Sequence, residues 1–125
     1  MVLDTSTLLF WTLDPLRLSA AARQAIDSTD RLIMSAISIW EIALKVKQSR
    51  LEIHPAIDEY IERLAELDRL EIEPVGVETW VSSVNLDWEH RDPADRVIVA
   101  TALRHKSPLV TSDRVIRDFY AATVW

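Results

Sequence analysis

The chain has 125 residues, a hydrophobic content of 49% and a formal net charge of −6; its length predicts a single domain over residues 1–125 with one core. It contains no cysteine, which excludes disulfide bonds, thiol catalysis and Cys-ligated zinc, and its one glycine, Gly76, excludes the glycine-rich loops of P-loop and dinucleotide-binding proteins. No apolar run is long enough to span a membrane and the N-terminus lacks a signal-peptide pattern, so we expect a cytoplasmic protein.

The charge is unevenly distributed along the chain. Residues 52–95 hold 13 acids and 3 bases, whereas the remainder holds 7 acids and 11 bases. A negative net charge by itself disfavours nucleic-acid binding, because such proteins usually neutralise phosphates with Lys and Arg. The uneven distribution still allows one basic surface and one acidic surface.

Five short apolar segments predict strands. The first is Val2–Leu3, which ends at Asp4, and the second is residues 32–34. Residues 70–75 alternate between apolar and polar side chains, and Pro74 predicts an edge strand because proline cannot donate to the strand ladder. Residues 109–111 and 122–125 complete the set.

Helical patterns separate these strands. The clearest covers residues 57–67, where apolar side chains form one stripe and charged side chains form the opposite face, as in an ordinary solvated helix. The other predicted helices are residues 19–28, 38–48, 77–84, 94–105 and 113–119. This alternation predicts the α/β class, with a parallel sheet covered by helices on both sides.

Four acidic residues lie just before or just inside the start of a predicted helix: Asp4, Glu41, Asp95 and Asp113. Because the carboxyl ends of parallel strands share one edge of the sheet, we expect the four carboxylates to converge there. Each acid alone has a simpler explanation in helix capping. Ser38 and Glu41 match a capping box, and Asp92 fits an N-cap followed by Pro93 at the first helical position. The functional hypothesis therefore depends on the four acids acting together.

Clustered carboxylates suit Mg²⁺ or Mn²⁺, hard cations that prefer oxygen ligands. Such an ion polarises a phosphoryl oxygen, lowers the pKa of a water and orients an in-line displacement. Thr5, Ser6 and Thr111 are auxiliary candidates whose hydroxyl groups would orient an acid or a water, although ordinary turn and cap roles are simpler explanations for each.

Four short motifs contain these acids: Val-Leu-Asp4-Thr, Ser38-Ile-Trp-Glu41-Ile-Ala, His90-Arg-Asp92-Pro-Ala-Asp95-Arg96 and Leu-Val-Thr111-Ser-Asp113. Their order and separations resemble those of PIN domains, in particular the VapC toxins of bacterial toxin–antitoxin pairs. The resemblance implies a three-layer α/β/α fold with a five-stranded parallel sheet. It also implies an endoribonuclease that uses Mg²⁺ or Mn²⁺ and a metal-activated water to cleave RNA, a cognate antitoxin, and a homodimer.

The resemblance carries over to individual residues by position. Asp4, Glu41, Asp95 and Asp113 match the family's acidic quartet, with Asp4 and Asp95 as direct metal ligands and the other two bound directly or through water. Asp92 is an auxiliary fifth acid. The chain departs from related sequences at Ser6, often His, at Ala94, often Phe, and at Ser49, where Gly is common. None of these departures removes an acid.

The remaining candidates have a smaller expected role. Lys45 and Arg96 are weak candidates for contact with substrate phosphate, and an ion pair with Glu41 explains Lys45 equally well. The five tryptophans are expected to pack in the core rather than stack on bases. His90 is placed outside the site.

Two other functions remain open at this point. One is a non-catalytic PIN-like module that binds RNA or protein and uses its acids only as helix caps. The other is a metal-dependent DNA nuclease, because the acids would recognise phosphate chemistry and not the sugar. For the toxin reading, we expect the antitoxin to insert an Arg or Lys into the acidic site, since a cation there replaces the charge of the metal.

Overall fold

A computed structural model describes all 125 residues and contains one five-stranded sheet. The strands are β1 (Val2–Leu3), β2 (Leu32–Ser35), β3 (Leu70–Glu73), β4 (Leu109–Val110) and β5 (Thr123–Val124). They run in the order β3-β2-β1-β4-β5, and every pairing is parallel. The predicted edge position of the third strand is confirmed, and β3 ends at Glu73, directly before Pro74.

Seven α-helices connect the strands: α1 (Thr5–Leu13), α2 (Ala20–Asp27), α3 (Ile37–Lys47), α4 (Ile57–Ala65), α5 (Val77–Asn85), α6 (Pro93–His105) and α7 (Arg114–Phe119). A short 3₁₀ helix, Pro15–Arg17, follows α1. The sequence patterns predicted all of the α-helices except α1. That helix has the consecutive apolar residues Leu8, Leu9, Phe10 and Trp11, so it lacks the one-sided stripe that identifies an amphipathic helix. None of these helices combines the length and the apolar character required to cross a membrane.

Apolar side chains pack on both faces of the sheet because neighbouring strand residues point to opposite sides. Val2 and Leu109 face a layer formed by α6 and α7, whereas Leu3 and Val110 face a layer formed by α1, α2 and α4. Helix α3 contributes to both layers, and α5 packs against α6. The expected three-layer α/β/α architecture is confirmed.

The topology creates a crevice next to the central strand. From β1 the chain builds β2 and β3 on one side, then β4 and β5 on the other, so the strand order reverses between β1 and β4. Ligand sites in open α/β sheets lie outside the carboxyl ends of the strands at such a reversal. Asp4 follows β1 and Thr111 follows β4, so the fold places these two side chains beside one another.

The carboxyl end of α3 is closed by a Schellman motif. Ser49 adopts a left-handed backbone conformation with φ of 57°. Its N–H donates to the Val46 carbonyl at 3.1 Å, and the Arg50 N–H donates to the Lys45 carbonyl at 2.8 Å. Glycine usually occupies the left-handed position because it has no Cβ to clash. The motif fixes the backbone direction of Arg50. The left-handed conformation that it requires at Ser49 has an energetic cost for a residue with a Cβ.

We expect Ser49→Gly to stabilise the protein. The substitution removes the left-handed penalty of an L-residue, partly offset by the greater entropy of glycine in the unfolded chain, for a net gain of about 0.5–1 kcal/mol in the free energy of unfolding. Urea denaturation measures it. Lys47→Gly, two residues earlier within the helix, is the matched control and should lose about 1 kcal/mol. A Ser49→Gly protein that loses stability as the control does would contradict this account.

Candidate active site

A polar pocket of about 140 Å³ lies at the carboxyl ends of the central strands. It has no hydrophobic lining, and its walls are Asp4, Thr5, Ser6, Glu41, Lys45, Asp92, Asp95 and Asp113. The four acids singled out in the sequence thus border a single cavity, together with most of the auxiliary candidates.

Asp4 forms the floor of this pocket and is held by the ends of β1 and β4. It is the N-cap of α1, and its Oδ1 accepts from the Thr7 N–H at 2.7 Å. Its Oδ2 accepts from the Thr111 hydroxyl, and the Thr111 oxygen accepts from the Asp113 N–H at 3.1 Å. Asp4 is 5% exposed and Thr111 is fully buried. Thr111 therefore lies behind the pocket and links Asp4 to the backbone that carries Asp113.

Asp92 and Asp95 enter the pocket from the start of α6. The predicted N-cap is confirmed, since the Asp92 carboxylate accepts from the Asp95 N–H at 3.1 Å and Pro93 begins the helix. Asp95 itself caps nothing, and its Oδ2 lies 2.7 Å from His90 Nε2. Placing His90 outside the site was wrong: His90, Asp92 and Asp95 offer ligand atoms within 4.8 Å of one another. The approach of His90 depends on the fold of the preceding loop, which sequence spacing alone did not reveal.

Glu41 reaches the pocket from α3, and the capping box predicted around it is wrong. The helix begins at Ile37 and its N-cap is Ala36, which makes no side-chain cap bond; the side chain that bonds to an N–H of the first turn is Ser35, whose hydroxyl accepts from the Ile37 N–H at 3.3 Å. Ser38 is buried and accepts a hydrogen bond from the Thr5 hydroxyl at 2.9 Å, which ties α3 to α1. The Glu41 carboxylate lies 3.7 Å from Lys45 Nζ. Glu41 therefore has no capping role.

Burial and mutual repulsion oppose ionisation of the acids. Burial, together with the negative charges of Asp92, Asp113 and Glu41, raises the pKa of Asp95 to about 6, although the hydrogen bond from His90 opposes the shift. Burial also raises the pKa of Asp4, against the hydrogen bonds from Thr111 and Thr7. A cation in the pocket would relieve both effects. The carboxylate oxygens that line it fit a hard divalent ion such as Mg²⁺ or Mn²⁺.

Arg96 does not line the pocket. Its guanidinium donates to five backbone carbonyls, those of Ser83, Val84, Leu86, Trp88 and His90, at 2.6 to 3.1 Å. These bonds use all five of its N–H donors, so none is free for substrate. The expected phosphate contact of Arg96 is therefore wrong, and its observed role is to hold the segment between α5 and α6 that carries His90.

The tryptophans divide into two groups. Trp11, Trp88 and Trp125 pack against the core as expected, and Trp88 stacks on Phe119 with a centroid distance of 4.6 Å and an interplanar angle of 7°. The prediction is wrong for Trp40 and Trp80, which are 51% and 45% exposed. These two indoles border a groove lined mainly by apolar residues beside the acidic pocket.

Without metal, Asp95→Asn should gain stability over wild type as the pH rises. Folded Asp95 has a pKa of about 6, against about 3.9 in an unfolded chain. Between these values the folded wild type binds more protons than the unfolded chain, so its free energy of unfolding falls with rising pH, and the loss is complete above pH about 6. The Asn variant lacks this contribution. Urea denaturation in EDTA across this range measures the difference between the two proteins.

The same denaturation series in Mn²⁺ is the control. A ligand that binds only the folded state raises the free energy of unfolding, so near neutral pH Mn²⁺ should stabilise wild type more than Asp95→Asn. A stability difference that does not vary with pH in EDTA would contradict the assignment of Asp95 to a repulsive carboxylate cluster.

Comparisons with known proteins relate the whole chain to a protein family and to solved structures. A family model described as the PIN domain matches residues 1–122. Over its whole length the chain is 35% identical to Ribonuclease VapC22 of Mycobacterium tuberculosis and covers 98% of that protein. A chain from a toxin–antitoxin complex of Klebsiella pneumoniae has a TM-score of 0.68 at 21% identity, covering 99% of this chain and 95% of that one. FitAcB from Neisseria gonorrhoeae has a TM-score of 0.52 at 24% identity, with coverages of 97% and 91%. The two structural likenesses concern the fold.

Proposed function

Because this chain belongs to the PIN domain family, we propose that it is a Mg²⁺- or Mn²⁺-dependent endoribonuclease and the toxin of a toxin–antitoxin pair. The observation that carries the proposal is the single pocket in which Asp4, Glu41, Asp95 and Asp113 meet. The 35% identity to Ribonuclease VapC22, spread over the full chain, supports RNA as the substrate.

The acids of the pocket have separate roles in the proposed reaction. Asp4 and Asp95 are the direct metal ligands, and Glu41 and Asp113 bind directly or through water. When bound, the divalent ion supplies Lewis-acid polarisation of the phosphodiester and makes a water nucleophilic at neutral pH. Thr111 and the Thr7 N–H fix the orientation of the Asp4 carboxylate.

The remaining pocket residues, and His90 behind Asp95, have supporting roles. His90 holds one Asp95 oxygen at 2.7 Å and so orients that carboxylate. The Lys45 ammonium, on the rim beside Glu41, is positioned for a substrate phosphate. Thr5, Ser6 and Asp92 line the pocket and offer hydrogen-bonding groups to water or substrate.

The structure gives a specific reason to prefer an enzyme over a scaffold that uses its acids only as helix caps. Asp4 and Asp113 are N-caps, but Glu41 caps nothing, and Asp92 rather than Asp95 caps α6. A cap-only role does not account for Glu41 and Asp95, whose partners are the side chains of Lys45 and His90 and not the N–H groups of a helix end. Binding of a cation would explain the presence of both acids in the pocket.

Glu41→Gln and Asp95→Asn should each reduce RNA cleavage by about 100-fold or more, because loss of a ligand charge removes several kcal/mol of transition-state stabilisation. Neither change removes a helix cap, so both variants should fold. Asp118→Asn, which neutralises an exposed acid of α7, is the matched control and should cleave as wild type does. Gel analysis of one RNA strand and of the DNA strand of the same sequence measures the cleavage.

Full activity of either pocket variant would remove that residue from the site. Equal cleavage of the RNA and DNA strands would favour a general nuclease. An inactive wild type that shows no Mn²⁺-dependent gain in stability would favour the scaffold.

We also propose that the antitoxin neutralises the acidic pocket with an Arg or Lys. The family relationship supports an antitoxin partner, and Lys45 is the one basic side chain among the five acids that line the pocket. Changing that residue to Ala should weaken inhibition by about 10-fold or more, because close charge pairs across interfaces couple by about 1.5 kcal/mol or more. Inhibition is titrated in the cleavage assay, with basic residues elsewhere in the antitoxin as controls. Full inhibition after all basic residues of the contact segment are changed to Ala would refute this mechanism.

A homodimer is the third part of the proposal, and α5 carries the surface that supports it. Val77, Trp80, Val81 and Val84 form an exposed stripe on this helix, and Val77 and Val84 are 79% and 76% exposed. The stripe adjoins an apolar groove of about 470 Å³ between Trp40 and Trp80. Large contiguous apolar surfaces are uncommon on monomers and typical of homodimer interfaces. A second copy of the chain is the occupant that we propose.

Val84→Asp should convert the dimer into a monomer, because it would bury an unpaired charge at each copy of the interface. Sedimentation measures the mass in solution. The matched control is Leu16→Asp, which places the same charge on an exposed leucine, 88% exposed, in the 3₁₀ helix. A monomeric wild type, or a Val84→Asp protein that remains dimeric, would contradict the proposed interface.

A further inference from the structure

A second groove leads out of the acidic pocket along α3. It has a volume of about 210 Å³ and shares Glu41, Lys45 and Asp92 with the pocket. Its outer part is lined by Trp40, Gln48 and Arg50, among others. Anything held in the pocket thus has a continuous path into this groove.

The spacing of side chains on α3 makes the groove long enough for a nucleic-acid strand. Glu41, Lys45 and Gln48 recur at intervals of four and three residues, so they lie along one side of the helix. Seven residues of helix span about 10 Å. A nucleic-acid strand rises about 3.4 Å per nucleotide when stacked, so the groove extends over more than one phosphate.

Charge changes sign along this path. The pocket end is acidic, Lys45 lies 3.7 Å from Glu41 in the middle, and Arg50 lies at the outer end. Arg50 is exposed, and its guanidinium takes part in none of the protein's ion pairs. The Schellman motif at Ser49 fixes the backbone from which it extends. Arg50 is therefore an exposed cation of the groove that pairs with none of the acids.

Trp40 supplies an aromatic surface on the same groove. The side chain is half exposed although it follows a buried turn of α3, and it borders the groove beside Gln48. Aromatic side chains bind the faces of all four bases, and a glutamine amide offers both a donor and an acceptor to a base edge. The groove along α3 combines these features with a cation, which suits a nucleotide. The groove between Trp40 and Trp80 is instead almost wholly apolar and suits a protein surface.

We propose that this groove is the subsite for the nucleotide adjacent to the scissile phosphate of single-stranded RNA, with Trp40 stacking on its base and Arg50 binding its phosphate. Gln48 contacts the base edge and contributes sequence preference. The proposal rests on the ribonuclease function proposed above, since that function places the scissile phosphate at the acidic pocket.

Binding of a short fluorescein-labelled RNA of mixed sequence, measured by anisotropy in EDTA at low ionic strength, tests the subsite without cleavage. Trp40→Ala should weaken binding by about 5-fold or more, the loss typical of one base stack. Trp40→Phe should retain most of the affinity. Trp40 also borders the apolar groove proposed for the second copy of the chain, whereas Trp80 borders that groove alone. Trp80→Ala is therefore the matched control, because it removes a similarly exposed indole and reports any effect that acts through dimerisation.

Arg50→Ala should reduce the slope of log affinity against log salt concentration by about 0.7, the contribution of one phosphate contact on a single strand. Lys47→Ala removes the same charge from an exposed position in the last turn of α3 that does not line the groove, and it should leave the slope unchanged. Equal effects of Arg50→Ala and Lys47→Ala would show unspecific attraction and overturn the proposal.

The subsite proposal would also be overturned if Trp40→Ala and Trp80→Ala lost equal affinity, or if Trp40→Ala and Arg50→Ala both kept wild-type affinity. A wild type that does not bind the RNA would overturn it as well. These outcomes are separate from failure of the proposed function. A wild type that binds RNA through the groove but leaves it intact in Mg²⁺ or Mn²⁺ contradicts the ribonuclease, whereas a wild type that cleaves RNA with no contribution from Trp40 or Arg50 contradicts only the subsite.

Discussion

The hydrogen bond from the Thr111 hydroxyl to the buried Asp4 carboxylate joins the ends of β1 and β4 at the point where the strand order reverses. A carboxylate that is 5% exposed needs such donors, because burial without them costs several kcal/mol. Thr111 also accepts from the Asp113 N–H, so one hydroxyl positions two acids of the pocket. The reversal of the sheet, the start of α1 and the start of α7 are thereby coupled through a single buried group.

This arrangement sets stability against function in the metal-free protein. The ends of parallel strands bring acids to a common edge, and the same convergence that supports the proposed divalent-ion site concentrates negative charge where little water can screen it. Burial is the main cause of the raised pKa of Asp95, about 6, and the negative charges of Asp92, Asp113 and Glu41 add to it. The surrounding α/β/α core, buried on both faces of the sheet, supplies the stability against which this repulsion acts.

Local rules predicted the features that are local in origin. Pro74 limited β3 to an edge, and Asp92 with Pro93 defined the start of α6, because both depend on backbone groups a few residues away. The convergence of the acids was predicted from the parallel direction of the strands together with the position of each acid near the start of a helix. Helix α1 was not predicted because its sequence has no amphipathic period; its apolar side chains are instead stabilised by packing in the core on one face of the sheet. The false capping box at Ser38 arose because a tertiary hydrogen bond from Thr5 replaced the local one. His90, Arg96 and the exposed Trp40 likewise depend on contacts that spacing does not encode.

Arg96 recognises the segment between α5 and α6 only through main-chain carbonyls, from Ser83 to His90. A guanidinium bound to carbonyls places no demand on the side chains attached to them, apart from the space they occupy. The course of this segment, and with it the position of His90 beside Asp95, is thus independent of much of the segment's own sequence. Residues such as Asp87 and Glu89 are free to change while the acidic pocket keeps its shape. The surface beside the acidic pocket can in this way change in sequence without a change in the pocket that it borders.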